Sequence, residues 1–180
     1  TRRRYGLEGH VVCGYLGAFV PWHAIDRFVH QIADRLQQSP HLKLLLVGDG
    51  STYPALRAFV EERGLSDRVI LTGRVPHDEV PGLLAAMDMA VLPSAGDYTS
   101  PVKLFEFMAC GIAPIAPDFE PIKEVLKIDE TGWVFRAGDL DHAVACVLER
   151  SRQPAELARV GAAAPPPTGG GIILGYANEQ

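Results

Sequence analysis

Leu42-Lys43-Leu44-Leu45-Leu46-Val47-Gly48-Asp49-Gly50-Ser51 carries the clearest signal of fold in this chain. Its first six residues are almost wholly apolar, as expected of a parallel strand that is covered on both faces. Two glycines follow at once, and Ser51 or Thr52 is available to cap a helix. The segment therefore predicts a strand, a tight turn and a helix, which is the repeating unit of an α/β sheet.

The same alternation continues on either side of this segment. We expect strands at about 11–16, 68–71, 89–93, 112–116 and 132–135, with helices between them and a last helix at 140–150. Strands and helices at this spacing favour right-handed crossovers. The sequence predicts an α/β fold: a doubly wound, mostly parallel, Rossmann-like sheet of about six strands with helices on both faces.

The two ends of the chain differ from this pattern. Residues 1–10 are expected to be a lead-in and residues 11–151 the folded domain. We expect residues 152–180 to be a mobile, low-complexity tail, because Ala162–Gly171 is built from Ala, Pro, Thr and Gly and cannot supply a core. The chain opens on Thr1, and we expect it to be a piece of a longer protein.

Composition excludes several classes of function. The net charge of −5 argues against nucleic acid as a partner, because no surplus of basic residues exists to replace phosphate counterions. No apolar run approaches the ~18 residues of a membrane span, so we expect no transmembrane segment and a cytoplasmic protein. Three cysteines without CxxC spacing predict buried, reduced thiols and no zinc site or disulfide framework.

The segment Ser100–Gly111 contains the residues best suited to bind a ligand, and its pattern predicts a turn followed by a short helix that ends on a glycine. A helix N-terminus attracts phosphate through unpaired N–H groups and a partial positive charge. Lys103 adds a full charge there, and Glu106 can accept hydrogen bonds from vicinal hydroxyls. This combination predicts a nucleotide site. The alternatives are an exposed Lys–Glu ion pair and a helix-capping role for Ser100.

The expected sheet agrees with that site. Doubly wound sheets bind ligands in the crevice outside the carboxyl ends of their strands. The loops expected at those ends are 17–23, 48–52, 73–76, 94–100 and 117–121, and most of the suspected residues lie in or beside them.

Three segments together resemble a known family. They are Leu45–Gly50, Val69–Val75 and the Ser-Pro-x-Lys-x-x-Glu motif of Ser100–Glu106, in that order. They are similar to the C-terminal, donor-binding half of retaining glycosyltransferases of the GT-B fold, in the family called glycosyl transferases group 1 (family 4). The resemblance implies metal-independent transfer of a sugar from a nucleoside-diphosphate sugar, with UDP or GDP as the favoured nucleotides and no other cofactor. It also implies an N-terminal, acceptor-binding domain that this chain lacks, so that the fragment alone is inactive. Any contact with the inner membrane would be made by that domain.

The resemblance also implies roles for individual positions. Glu106 matches the second glutamate of the family's E-x7-E motif, which holds the ribose. The first falls on Tyr98, next to Asp97, and the family's usual phosphate-binding arginine and lysine fall on Ala18 and His23. Lys103 is expected to replace one of those cations, and His23 to supply a hydrogen bond or a pH-dependent charge. The residues expected to act in catalysis are Lys103, Glu106 and Asp97, and those expected to bind the donor are Gly17, His23, Gly73, Arg74, Val75, Tyr98, Ser100, Val102, Lys103 and Glu106.

Other interpretations remain open from the sequence. The chain fits a nucleotide-sugar-binding module without turnover, or half of a nucleotide-sugar epimerase of similar architecture. His23 fits structural packing as well as ligand contact. Asp139-Leu140-Asp141 has the letters of a metal-binding D-x-D motif, but it opens a helix, where acidic caps are expected.

Overall fold

The structure, a computed structural model, describes residues 1–94 and 102–163. Its strands are β1 (Val11–Leu16), β2 (Leu42–Val47), β3 (Val69–Gly73), β4 (Met89–Val91), β5 (Ala113–Pro117) and β6 (Trp133–Phe135). Its helices are α1 (Ile25–Gln37), α2 (Tyr53–Glu62), α3 (Val80–Leu84), α4 (Val102–Ala109), α5 (Glu120–Val125), α6 (Leu140–Arg150) and α7 (Pro154–Ala162). Short 3-10 turns at Pro21–His23 and His77–Glu79 precede α1 and α3.

The six strands form one sheet in the order β3-β2-β1-β4-β5-β6. Each neighbouring pair of strands runs parallel. The chain winds outward from β1 in one direction and then, from β4, in the other, so the strand order reverses between these two strands. The predicted doubly wound, Rossmann-like fold is confirmed, and a ligand crevice is expected at that reversal.

Apolar side chains cover the sheet on both faces. Along β2, Leu42, Leu44 and Leu46 belong to the core formed with α1, α2, α6 and α7. Leu45 and Val47 belong to the opposite core, which includes residues of α3 and α4. Because alternate residues of a strand point to opposite faces, a strand buried on both faces needs an uninterrupted apolar run. This requirement explains the composition of the segment from which the fold was predicted.

The N-terminal residues fold against the sheet. Leu7 is fully buried, and Arg2 donates from Nη2 to Oδ2 of Asp88 over 2.8 Å. The same Asp88 oxygen accepts the backbone N–H of Val12 at 2.8 Å. These bonds tie residues 1–10, the expected lead-in, to the sheet.

At the other end, the folded part extends beyond the expected boundary at residue 151. Pro154–Ala162 forms α7, and its Leu157 and Val160 are buried in the same core as α1. The expectation of a tail from residue 152 is therefore wrong for residues 154–162. Proline is well tolerated in the first turn of a helix, which suits Pro154. Residues 164–180 lie outside the described residues.

Smaller differences concern the ends of elements. Between β3 and β4 there is only a 3-10 turn followed by the short α3, because Pro81 has no N–H with which to continue a helix from His77. At the start of α5 the cap position is Phe119, and the preceding Asp118 pairs with Nζ of Lys123 at 3.2 Å.

Candidate functional site

The carboxyl ends of β1, β2 and β3 are joined by backbone hydrogen bonds between the loops that follow them. The Gly17 N–H donates to the Val47 carbonyl at 3.0 Å, and the Gly48 N–H donates to the Gly73 carbonyl at 3.2 Å. The Phe19 N–H donates to the Asp49 carbonyl at 3.0 Å, and the Phe19 carbonyl accepts the Thr52 N–H at 2.9 Å. The three loops therefore form one continuous rim beside the point at which the strand order reverses.

Gly17, the first residue after β1, is approached closely by Lys103 from α4. A β-carbon at Gly17 would collide with Nζ of Lys103 and would lie 3.0 Å from the hydroxyl oxygen of Tyr15. Only a glycine permits this approach. The structure thus brings together two predicted site residues, Gly17 and Lys103, and adds Tyr15, which the sequence analysis did not identify.

Lys103 and Glu106 lie one turn apart at the beginning of α4. Leu104, Phe107 and Met108 anchor the helix in the core. Lys103 is half-buried, whereas Glu106 is only 6% exposed. A buried carboxylate does not fit the alternative of an exposed surface ion pair, since such pairs are solvated. Its place one turn from Lys103, near the start of α4, keeps this carboxylate a candidate binding group.

His23 lies at the end of the 3-10 turn before α1 and contacts Tyr15 and Ala18. Its Nδ1 is 3.0 Å from the carbonyl oxygen of Ala18 and 3.3 Å from the hydroxyl oxygen of Tyr15. The Tyr15 hydroxyl donates to the Ala18 carbonyl at 2.8 Å. The half-buried His23 ring is thus oriented by two oxygen atoms, while its neighbour Trp22 is 65% exposed.

Three residues that are expected to bind the donor, Gly73, Arg74 and Val75, lie at the end of β3 and just after it. The Gly73 carbonyl accepts hydrogen bonds from the Gly48 N–H at 3.2 Å and from the Thr72 hydroxyl at 2.8 Å. Arg74 is exposed, and Val75 packs partly against the core. Gly73 is therefore fixed in the rim, with Arg74 reaching into solvent beside it.

The structure describes only one of the four remaining predicted site residues. Asp97, Tyr98 and Ser100 lie outside the described residues, while Val102 is the first residue of α4 and is exposed. Asp139 accepts the N–H of His142 at 2.9 Å, which confirms a capping role for the first carboxylate of the D-x-D letters. Within residues 1–94 and 102–163, no group of three or more His, Cys, Asp or Glu side chains is arranged to hold a metal ion.

Two further features lie away from this site. A cavity of about 340 Å³ between the end of α3 and α7 is lined by Asp88, Gly111 and Leu157, at the amino ends of the strands. All three cysteines are free, as expected, but only Cys13 is buried, and the expectation of burial is wrong for Cys110, which is exposed. Of the helices in residues 1–94 and 102–163, none has the length and apolar character of a membrane span.

A doubly wound parallel sheet with a lysine, a buried glutamate and a close glycine at its reversal point defines a domain of the nucleotide-binding type. The chain belongs to the glycosyl transferases group 1, since residues 10–152 match the model of that family. The resemblance noted from the sequence is thereby confirmed.

Relatives and a solved structure agree with this assignment. The chain is 26% identical over 151 residues to an alpha-D-kanosaminyltransferase of Streptomyces kanamyceticus, covering 82% of this chain and 39% of the relative. It is 26% identical over 168 residues to a GDP-mannose-dependent alpha-(1-6)-phosphatidylinositol monomannoside mannosyltransferase of Mycolicibacterium smegmatis. That match covers 90% of this chain and 44% of the relative. The fold is similar to that of HepE of Anabaena in complex with UDP and glucose, with a TM-score of 0.77 and 20% sequence identity. The match covers 91% of this chain and 44% of the HepE chain. The chain spans less than half the length of each of these proteins.

Proposed function

We propose that this chain is the donor-binding half of a retaining glycosyltransferase, which moves a sugar from a nucleoside-diphosphate sugar to an acceptor. The observation that carries the proposal is the meeting of Lys103 with Gly17 at the reversal point of the sheet, beside the start of α4. A cation, a helix N-terminus and an open backbone position together suit a diphosphate. The family membership and the nucleotide in the HepE complex support the same assignment.

The individual roles follow from position. The N–H groups of Val102 and Lys103 face the diphosphate from the start of α4, and Nζ of Lys103 neutralises the charge that develops on the leaving group. Glu106 accepts hydrogen bonds from the two ribose hydroxyls. Gly73, Arg74 and Val75 meet the base at the end of β3. Asp97, Tyr98 and Ser100 are assigned to the donor site from the sequence alone.

The proposed reaction needs charge stabilisation more than a protein nucleophile. The acceptor attacks the anomeric carbon from the face that the diphosphate leaves, with a phosphate oxygen taking the acceptor's proton, so that configuration is retained. Lys103 and the amides of α4 stabilise the departing diphosphate without a divalent metal. The acceptor is held by an N-terminal domain of the parent protein, so the fragment alone binds the donor but transfers little or nothing.

Uracil and guanine are the two candidate bases of the donor nucleotide. HepE is described in complex with UDP, while the mycobacterial relative is described as GDP-mannose-dependent. A binding module without turnover is the second candidate, and the observation in its favour is Ala18, an uncharged residue where the family's usual phosphate-binding arginine falls.

Calorimetric titration of the 180-residue chain with UDP, GDP, ADP and their sugar conjugates tests the proposal. We expect one nucleotide to bind in the micromolar to low-millimolar range, and Lys103→Ala to weaken it about 10- to 150-fold, because a charge-assisted hydrogen bond contributes about 1.5–3 kcal/mol. Lys43→Ala is the matched control, since its Nζ donates to the Gly6 carbonyl near the amino end of the sheet. Absence of binding across the panel by a folded sample contradicts the proposal.

A further inference from the structure

Three atoms at the end of β1 form a closed hydrogen-bonding triangle. They are the Tyr15 hydroxyl oxygen, the Ala18 carbonyl oxygen and Nδ1 of His23, separated by 2.8, 3.0 and 3.3 Å. The triangle is anchored by Tyr15, which is 2% exposed and packs edge-on against Phe19 with ring centroids 5.6 Å apart. The geometry around His23 is therefore set by the core of the domain.

The triangle decides where a neutral His23 carries its proton. A carbonyl oxygen has lone pairs and no proton, so a bare Nδ1 at 3.0 Å from the Ala18 oxygen would oppose two lone pairs. The single Tyr15 proton cannot relieve both contacts, and it is used by the Ala18 carbonyl. With a proton on Nδ1, the ring donates to Ala18, and all three groups are satisfied. The neutral ring consequently presents an unprotonated Nε2.

We propose that the Ala18 carbonyl fixes this tautomer of His23, so that His23 donates to the donor's diphosphate through Nε2 only after it gains a second proton. The inference rests on the proposed function, because it assumes a diphosphate beside Gly17. Phosphate oxygens only accept hydrogen bonds, and a bare Nε2 has none to donate. Donor binding at this loop is thus coupled to proton uptake. Tyr15 holds the Ala18 carbonyl in place in this scheme, since its hydroxyl donates to that oxygen.

The charged groups around His23 set the direction of the coupling. Nζ of Lys103 reaches Gly17 from α4, with Glu106 one turn further along. Asp26 lies in the first turn of α1, and Arg27 donates to the Pro21 carbonyl at 3.5 Å. A bound diphosphate favours a positive charge on a histidine beside it. By linkage, a ligand that favours protonation binds more tightly as the pH falls.

A nucleotide sugar is the right probe, because its diphosphate is esterified at both ends and keeps a constant charge around neutral pH. We expect UDP-glucose or GDP-mannose, whichever binds, to bind about three- to tenfold more tightly near pH 6 than near pH 8, as histidine gains its charge in this range. His23→Gln abolishes the pH dependence. Tyr15→Phe keeps the buried ring and leaves Nδ1–H of His23 as the donor to the Ala18 carbonyl, so the pH dependence is retained. A merely structural loss would weaken binding equally at both pH values.

His10→Gln is the matched control, because Nδ1 of His10 lies 2.8 Å from the Glu8 carbonyl, just before β1 and away from the site. It leaves the pH dependence unchanged. A long-range ¹H–¹⁵N spectrum of the empty protein near pH 8 tests the tautomer itself, without any ligand, and we expect the proton of His23 on Nδ1.

Each other result overturns a defined part of the reasoning. A proton on Nε2 in that spectrum rejects the fixed tautomer. Binding that is tight but independent of pH rejects the coupling and leaves the proposed donor site intact. Failure of both nucleotide sugars to bind at either pH, by a folded sample, rejects the donor site and the coupling together.

Discussion

Replacing Gly17 by alanine tests the geometry on which the proposed site depends. The added methyl group collides with Nζ of Lys103 and lies 3.0 Å from the hydroxyl oxygen and 3.3 Å from Cζ of Tyr15. Tyr15 is buried and hydrogen-bonded, so the flexible lysine must move. Displacing an ammonium that forms a charge-assisted hydrogen bond costs about 1.5–3 kcal/mol of binding free energy, which is a loss of about 10- to 150-fold in affinity.

The same substitution is expected to cost little stability. The end of a lysine side chain yields easily, so the penalty falls at or below the lower end of the about 1–3 kcal/mol typical of overpacking. Calorimetric titration with the nucleotide sugar gives the affinity, and urea unfolding gives the stability. Gly82→Ala is the control, because its methyl group also meets one flexible polar atom, Thr1 Oγ1 at 2.9 Å, away from the site. Donor affinity within about twofold of the parent, in a folded Gly17→Ala sample, would refute a diphosphate contact by Lys103.

Three more outcomes are expected. Glu106→Gln should weaken binding of a ribonucleotide about tenfold or more, because a carboxylate acceptor is lost. Binding of the matching 2′,3′-dideoxynucleotide, which has no ribose hydroxyls, should be unchanged. Equal losses of affinity for the two nucleotides, measured by calorimetry, would show that Glu106 does not bind the ribose hydroxyls. Ending the chain after residue 151 should lower the free energy of unfolding in urea by about 3–6 kcal/mol, since Leu157 and Val160 lose their burial; ending it after residue 163 is the control, and a loss below about 1 kcal/mol contradicts the packing of α7. Brief alkylation read by mass spectrometry should modify the exposed Cys110 before the fully buried Cys13. Partial burial, with a smaller effect of Glu106, raises the pKa of the Cys110 thiol, so its reaction should accelerate at a higher pH than that of an unstructured cysteine; prior modification of Cys13 would contradict this order.

Elements of the fold were predicted correctly from the sequence where a local residue pattern is compatible with only one type of secondary structure. The apolar run of β2 ends in two glycines, and the structure places the strand at Leu42–Val47, as predicted. The last predicted helix, α6, also has the predicted bounds, because Asp139 accepts the N–H of His142 at its start. Both elements are defined by residues that are neighbours in the chain, which is the information that a sequence pattern contains.

The missed features depend on contacts that only the folded chain creates. Gly161 lies directly before the low-complexity run Ala162–Gly171, but a β-carbon there would collide with the Gly111 carbonyl. Its lack of a side chain therefore permits α7 to pack. Tyr15 reads as one more apolar residue of β1, and its role appears only when the following loop returns the Ala18 carbonyl and His23 to its hydroxyl. Neither contact has a local signal in the sequence. The assignments of Asp97, Tyr98 and Ser100 stay predictions.

The hydrogen bonds that join the loops after β1, β2 and β3 have a consequence for the thermodynamics of recognition. Gly17, Gly48 and Phe19 donate to carbonyls of neighbouring loops, so these segments are ordered before any ligand arrives. Ordering a flexible loop on association consumes part of the interaction free energy, and this rim avoids that penalty. Because the bonds are between backbone groups, a side chain such as Ala18 can change without loosening the frame. We therefore expect the amide protons of this rim to exchange slowly with solvent in the empty protein, with little further slowing when a nucleotide binds.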